Sequence, residues 1–197
     1  DLAFDVHRHA DDLVSEVWAD MFGPDLAYQV VGVPVDVESA RALALQDRFG
    51  FEHWALGLVP ARPAHDRKKG ADSGIDGRFS FQDTVRGAYK EGIVQVKSGH
   101  VQRSIVSDLA NCMAREKAEL AFLVTLEPPT TPMRTEALAV GYYDSPGWGR
   151  RYQRVQIRTI AELLAGQRFD YPPANMTFAR AARVADTPDE QQATLEL

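Results

Sequence analysis

Two stretches decide how this 197-residue chain is read: Gly74-Ile75-Asp76-Gly77-Arg78-Phe79-Ser80-Phe81, and Gly92-Ile93-Val94-Gln95-Val96-Lys97. In the first, Ile75, Gly77, Phe79 and Phe81 fall on one side, which is the period of a strand. In the second, Val94 and Val96 share one face while Gln95 and Lys97 share the other, because successive strand side chains alternate. Residues 82–91 between them are polar and turn-like, so the pair reads as an antiparallel hairpin. A Gln and a Lys interrupting an apolar strand are costly to bury. Their face is therefore either solvated or functional, and the spacing alone leaves both readings open.

Working outward, Ser104 to Lys117 has the spacing of an amphipathic helix, with Ile105, Leu109, Cys112 and Met113 on its apolar side. Leu120 to Thr125 is a continuous apolar run, the pattern of a fully buried strand. Thr131-Pro132 opens a helix expected to run through Ala137 to about Tyr143. Ser145-Pro146-Gly147-Trp148-Gly149 reads as a loop, Val155 to Ile157 as a short strand, and Thr159 to Leu164 as a helix stopped by Gly166. Upstream, residues 3–22 have helical spacing ended by Gly23-Pro24, and Tyr28 to Val33 is β-prone. Asp36 N-caps a further helix that continues, kinked at Gly50, to Leu58. Residues 60–74 read as a loop. The resulting order of helices and strands predicts a three-layer α/β/α arrangement around a central mixed sheet. It divides the chain into a helical appendage over 1–27 that fits the end of a preceding domain, an α/β domain over 28–170, and an extended tail over 171–197.

The composition, 45% hydrophobic and 25% charged, is that of a soluble globular protein. No apolar run approaches the roughly 18–20 residues of a membrane span. Asp1-Leu2-Ala3-Phe4 lacks the basic-then-apolar pattern of a signal peptide, and the missing initiator Met fits a segment of a longer protein. Cys112 is the only cysteine, which excludes an intrachain disulfide and a Cys-based zinc site. It reads as core filler in a reducing cytoplasm. The net charge of −6 argues against a nucleic-acid partner until its distribution is considered: −8 over residues 1–59, +4 over 60–103 and −2 over 104–197. The positive segment surrounds Asp76, Gln95 and Lys97, and local potential governs phosphate binding. Arg67-Lys68-Lys69 within it reads either as a phosphate contact or as a solvated loop.

Phosphodiester hydrolysis calls for a cation that polarises the phosphate and acidifies the attacking water. Magnesium takes oxygen ligands and keeps several waters, so few protein oxygens suffice. Asp76 offers a carboxylate, Gln95 an amide oxygen, and Lys97 an ammonium for water or developing charge.

The segments Lys69-Gly-Ala-Asp-Ser-Gly-Ile-Asp-Gly77, Ile93-Val-Gln-Val-Lys-Ser-Gly99, and Phe122-Leu-Val-Thr125 with Pro132-Met-Arg-Thr-Glu-Ala137 resemble the Mrr-like branch of the PD-(D/E)xK nuclease superfamily. In that branch Gln replaces the usual Glu. The resemblance extends in order over roughly residues 28–170. More narrowly, Asp47-Arg48, Trp54 and the Ser145–Gly149 segment look like the nuclease-type region appended to bacterial DNA amino-methyltransferases. The resemblance implies a restriction-endonuclease-like fold and a metal-dependent DNA endonuclease of restriction-modification, using Mg2+ with Mn2+ as a substitute. It implies Asp76, Gln95 and the backbone carbonyl of Val96 as metal ligands, Lys97 as the catalytic lysine, and 5′-phosphate and 3′-hydroxyl product ends. The acid usually added from the preceding helix is Glu52 or Asp47. The strict Pro-Asp dipeptide is absent, since Ile75 precedes Asp76.

Double-stranded DNA is the implied partner, with a DNA methyltransferase domain or subunit and a second copy of the chain as further candidates. Lys68, Lys69, Ser98, His100, Arg103 and Arg134 are the candidate DNA contacts. Each also has an ordinary reading: a solvated charge, a surface His, or, for Arg134, a salt bridge to Glu136. Ser104 is either a phosphate ligand or a helix cap. Two rivals share the fold: a DNA-binding or interaction module without turnover, and a repair or junction-resolving nuclease.

Overall fold

Strand β3 (Tyr89–Lys97) is the axis of the sheet. Its stretch from Gly92 to Val96 is buried on both faces, which β-branched residues tolerate well. In this computed structural model, which describes residues 33–64, 74–83 and 89–172, β3 pairs antiparallel with β2 (Gly77–Gln82) and parallel with β4 (Leu120–Thr125). A parallel pair requires a crossover, and α3 (Arg103–Arg115) supplies it. All six residues of β4 are buried, as its unbroken apolar run predicts. β4 in turn pairs parallel with β7 (Val155–Thr159), and β1 (Arg62–Pro63) closes the far edge, giving the order β1-β2-β3-β4-β7.

Helices cover both faces. On one, Val94, Val96, Phe122 and Val124 cluster with Phe51, Ala55 and Leu56 of α2 (Arg48–Gly57), Ala40 of α1 (Val37–Gln46), and Ile160 and Leu163 of α5 (Ile160–Leu164). On the other, Ile93, Ala121, Leu123 and Ile157 cluster with Val106, Leu109 and Met113 of α3, and with Met133 and Ala137 of α4 (Thr131–Ala139). Each large side chain buried in these layers contributes about 1.5–3 kcal/mol. The three-layer α/β/α architecture with a mixed sheet is the one expected. Among the described residues, no helix is long and apolar enough to cross a membrane.

Three local expectations are corrected and a fourth is extended. The first helical stretch does not kink at Gly50; it breaks at Asp47, which is extended (φ −144°, ψ 95°) between α1 and α2. The Asp47 carboxylate accepts from the Gly50 N–H at 2.9 Å and so restarts the helix. A Cβ on Gly50 would stand 2.6 Å from that carboxylate, so this glycine admits the cap rather than bending the helix. Residues 60–74 are not all loop, because Arg62 and Pro63 pair with β2 at a sheet edge, where proline is tolerated. The Thr131 helix stops at Ala139, with Gly141 at φ +92°, rather than near Tyr143. The expected Ser145–Gly149 loop is the tip of a hairpin, β5 (Tyr142–Ser145) with β6 (Arg150–Gln153), whose strands lack an apolar alternation to betray them.

Beyond α5 the chain turns back over the sheet. The Phe169 ring stacks on Phe122 at 4.2 Å, Phe122 stacks on Phe79 at 4.4 Å, and Tyr171 meets Phe79 edge-on. The expected helix over 3–22, most of the run from Tyr28, the Lys68-Lys69 cluster and all but the first two residues of the expected tail lie outside the described residues.

Candidate active site

The C-terminal end of β3 gathers the polar groups that the sequence singles out. Alternation puts Gln95 and Lys97 on the face of Ile93, beneath α3, while Val94 and Val96 face α2. Asp76 immediately precedes β2 and is knitted to β3. Its N–H donates to the Val94 carbonyl at 2.9 Å, and its carboxylate accepts from the Val96 N–H at 2.7 Å. Its own carbonyl accepts from the Ala64 N–H at 2.9 Å. The carboxylate thus takes the place of a ladder bond just before β2 begins, and this fixes it beside the strand that carries Gln95 and Lys97.

Gln95 is 7% exposed, and its Oε1 is a buried acceptor with no hydrogen-bond partner among the described residues. Leaving such an atom unsatisfied costs about 1–3 kcal/mol, a cost a fold does not carry without compensation. Gly74, at φ +72°, lies against the same amide: a Cβ there would sit 3.4 Å from Gln95 Nε2 and 3.5 Å from Cys112 Sγ. Glycine is the residue that takes this left-handed turn freely. Lys97 is half-buried, and its ammonium makes no hydrogen bond or ion pair among the described residues.

Sequence reasoning did not single out Thr125 as a site residue. It pairs in register with Lys97 on β4 and therefore shares the face of Gln95 and Lys97. It is 0% exposed, and its Oγ1 is also without a partner. At the end of an apolar run a threonine reads as a β-branched strand former, and only the buried hydroxyl marks it out.

The remaining candidates divide. Ser98 and His100 line an open cleft at the C-terminal ends of β3 and β4, where Arg41 of α1 is ion-paired to Glu127 at 2.5 Å. Hydrogen bonding and charge from Glu127 raise the Arg41 guanidinium above its ordinary value. Arg103 donates to Glu136 at 2.8 Å, and Ser107 donates to the same carboxylate at 2.9 Å. These two contacts, the Ser107 hydrogen bond first, hold Glu136 below the usual carboxylate range. Arg134 therefore has a rival for the Glu136 salt bridge; it lines a separate cavity with Gln153, Gln156 and Arg158. Ser104 does not cap α3, since Gln102 occupies the N-cap position. Asp47 is engaged as the α2 cap described above. Glu52 pairs with Arg48 at 3.1 Å on a helix that packs against the opposite face of the sheet from Gln95. Further along the sheet, Arg78 and Lys90 are engaged by Glu116 and Glu119.

Gln95 Oε1, an orphaned oxygen on the strand that holds Asp76, suits a hard cation that takes oxygen ligands. Residues 45–142 match the Mrr_cat family of restriction endonucleases. This Mrr-like segment contains Asp76, Gln95, Lys97 and Thr125, and runs from the end of α1 to the start of β5. The DNA modification-dependent restriction endonuclease AspBHI is similar in structure, with a TM-score of 0.49 and 19% identity over 77% of this chain. The chain spans 42% of that enzyme's length. No curated protein sequence matches.

Proposed function

We propose that the chain is a divalent-metal-dependent endonuclease domain acting on double-stranded DNA in a restriction system. The observation that carries the reading is the orphaned, buried Gln95 Oε1, on the strand that is hydrogen-bonded to Asp76 and two residues from Lys97. Asp76 and Gln95 would hold the ion, with the Val96 carbonyl as a further ligand; Mg2+ is the proposed ion and Mn2+ its substitute. The chemistry such an ion supplies is polarisation of the phosphate and acidification of the attacking water. The Asp76 carboxylate is positioned by the Val96 N–H, and the Gln95 amide is kept dry by the layer around Ile93 and Leu123. Lys97 orients the water and faces the charge that develops on the phosphate. Glu52 or Asp47 would complete the ligand set only after leaving its Arg48 or Gly50 partner. Cutting both strands calls for two such sites, so a second copy of the chain is the proposed partner, with a methyltransferase domain or subunit as the other.

One observation favours a binding module instead: both candidate helical acids are engaged elsewhere, Glu52 by Arg48 and Asp47 by the Gly50 N–H. Plasmid cleavage with Mg2+, its loss in EDTA, and its loss in Asp76→Ala and Lys97→Ala separate the two. Undiminished cleavage in either variant removes the assignment. Metal-independent DNA binding without cleavage favours the module. Running the assay on methylated and unmethylated plasmid reads out the substrate class.

A further inference from the structure

The parallel strands β3, β4 and β7 bring Lys97, Thr125 and Thr159 into one row on one face of the sheet. The two threonines are treated differently. The Thr159 hydroxyl accepts from the Glu162 N–H at 3.1 Å and caps α5. The Thr125 hydroxyl is fully buried and bonds to nothing among the described residues. Valine has nearly the same shape, forms strands as readily and carries no polar atom to satisfy, so folding alone favours Val at position 125. With the Thr159 hydroxyl already engaged, the other row-mate of Thr125 is Lys97, and two residues back on the Lys97 strand lies Gln95, whose oxygen is likewise orphaned. Of the three buried side-chain atoms without a partner among the described residues, two, Gln95 Oε1 and Thr125 Oγ1, thus belong to residues beside Lys97, while the third, Arg158 Nε, lies on β7.

We infer that Thr125 is a positioning residue for Lys97: its hydroxyl accepts a hydrogen bond from the Lys97 ammonium when DNA occupies the site, and so fixes that ammonium on the Gln95 side of the sheet. The inference rests on the nuclease reading for its catalytic consequence, but the contact itself does not depend on turnover. A flexible four-carbon lysine stem is a poor aiming device by itself. A fixed acceptor from the neighbouring strand supplies the aim, and a misplacement of about 1 Å at a catalytic group lowers a rate by about 100-fold.

The test uses Thr125→Val, which removes only the hydroxyl, and Thr125→Ser, which keeps it. Under single-turnover conditions with Mg2+ and plasmid DNA, Thr125→Val is expected to cut about 10- to 100-fold more slowly. Its DNA affinity in Ca2+ should be unchanged and its Tm no lower than the parent's, while Thr125→Ser restores most of the rate. A Thr125→Val protein that cuts as fast as the parent overturns the inference, and so does one whose Tm falls in step with its rate. The second readout is independent of cleavage: NMR relaxation of the Lys97 side chain in the full chain bound to a phosphorothioate duplex in Ca2+. An ordered Lys97 in the parent that becomes mobile in Thr125→Val supports the contact, and equal mobility in both overturns it. A parent that never cuts DNA sinks the nuclease reading, and the relaxation data then decide on Thr125 alone.

Discussion

The two ends of β2 each present a carboxylate, and the fold treats them in opposite ways. Asp83, just past the C-terminal end, is 4% exposed and accepts hydrogen bonds from both the Tyr143 and Ser145 hydroxyls of β5. Asp76, just before the N-terminal end, is held by the Val96 N–H, and the strands around it carry the buried, unpartnered Gln95 Oε1 and Thr125 Oγ1. The first end is a closed clamp that ties a hairpin to the sheet. The second leaves donors and acceptors unmet in the interior. The difference teaches that a buried polar group is no sign of a functional site by itself; what separates the two ends is whether its valences are filled from within the chain.

That contrast breaks most sharply under substitution. Asp76→Ala and Lys97→Ala should each lower DNA cleavage by about 1000-fold, with the urea midpoint of Lys97→Ala close to the parent's. Cleavage time courses and urea melts on the same preparations check both halves. Asp83→Ala should do the reverse. It strands two hydroxyls at about 1–3 kcal/mol each, so the urea midpoint falls clearly while the specific activity of the folded protein is kept. If Asp83→Ala lost cleavage without losing stability, the two ends would not differ as described.

A smaller effect sharpens the comparison within one row of side chains. Thr159→Val removes a helix cap and should destabilise by about 1 kcal/mol, whereas Thr125→Val should not destabilise at all. Thermal melts of the two variants side by side read the difference. The smallest effect concerns alkali. Burial first, and then the hydrogen bond to Asp83, hold the Tyr143 hydroxyl well above the ordinary tyrosine range. A group whose pKa is raised by folding contributes stability that is fully present below its unfolded value, about 10 for tyrosine, and is lost as the pH climbs beyond it. Stability measured by urea should therefore decline above about pH 10, and Tyr143→Phe should flatten that decline.

Much of this was legible in the chain itself, for reasons that particular residues make plain. The period-two alternation from Ile75 to Phe81, the apolar run from Leu120 to Thr125 and the Asp36 cap are local signals, and each produced the element it announces. Gln95 and Lys97 stood out because they interrupt a strand. What escaped is what depends on partners distant in sequence. The hydrogen bonds from Tyr143 and Ser145 to Asp83 span about sixty residues, and the hairpin they anchor has no apolar alternation of its own. The break at Asp47 was misread because a glycine inside a helical pattern suggests a bend, whereas here it makes room for its neighbour's carboxylate. Thr125 reads in the sequence as the end of an apolar strand, without a role of its own, because an unfilled hydrogen bond is a property of surroundings that no local pattern records. Glu52 and Asp47 were offered as the helical acid on position alone, and both carboxylates have partners on their own helix.

The bond from the Val96 N–H to the Asp76 carboxylate gives the molecule a built-in spectroscopic indicator. A single amide proton, buried in the central strand, reports the charge on that carboxylate without any label at the site. Whatever draws on the carboxylate's electrons, a cation above all, must weaken its hold on that proton and move one resonance in a ¹⁵N correlation spectrum. The Glu119 N–H, bonded to the Glu91 carbonyl at the far end of the β3–β4 strand pair, supplies an internal reference away from the site that a change in strand pairing would disturb. Occupancy and unfolding would then be told apart in a single spectrum, before any substrate is known.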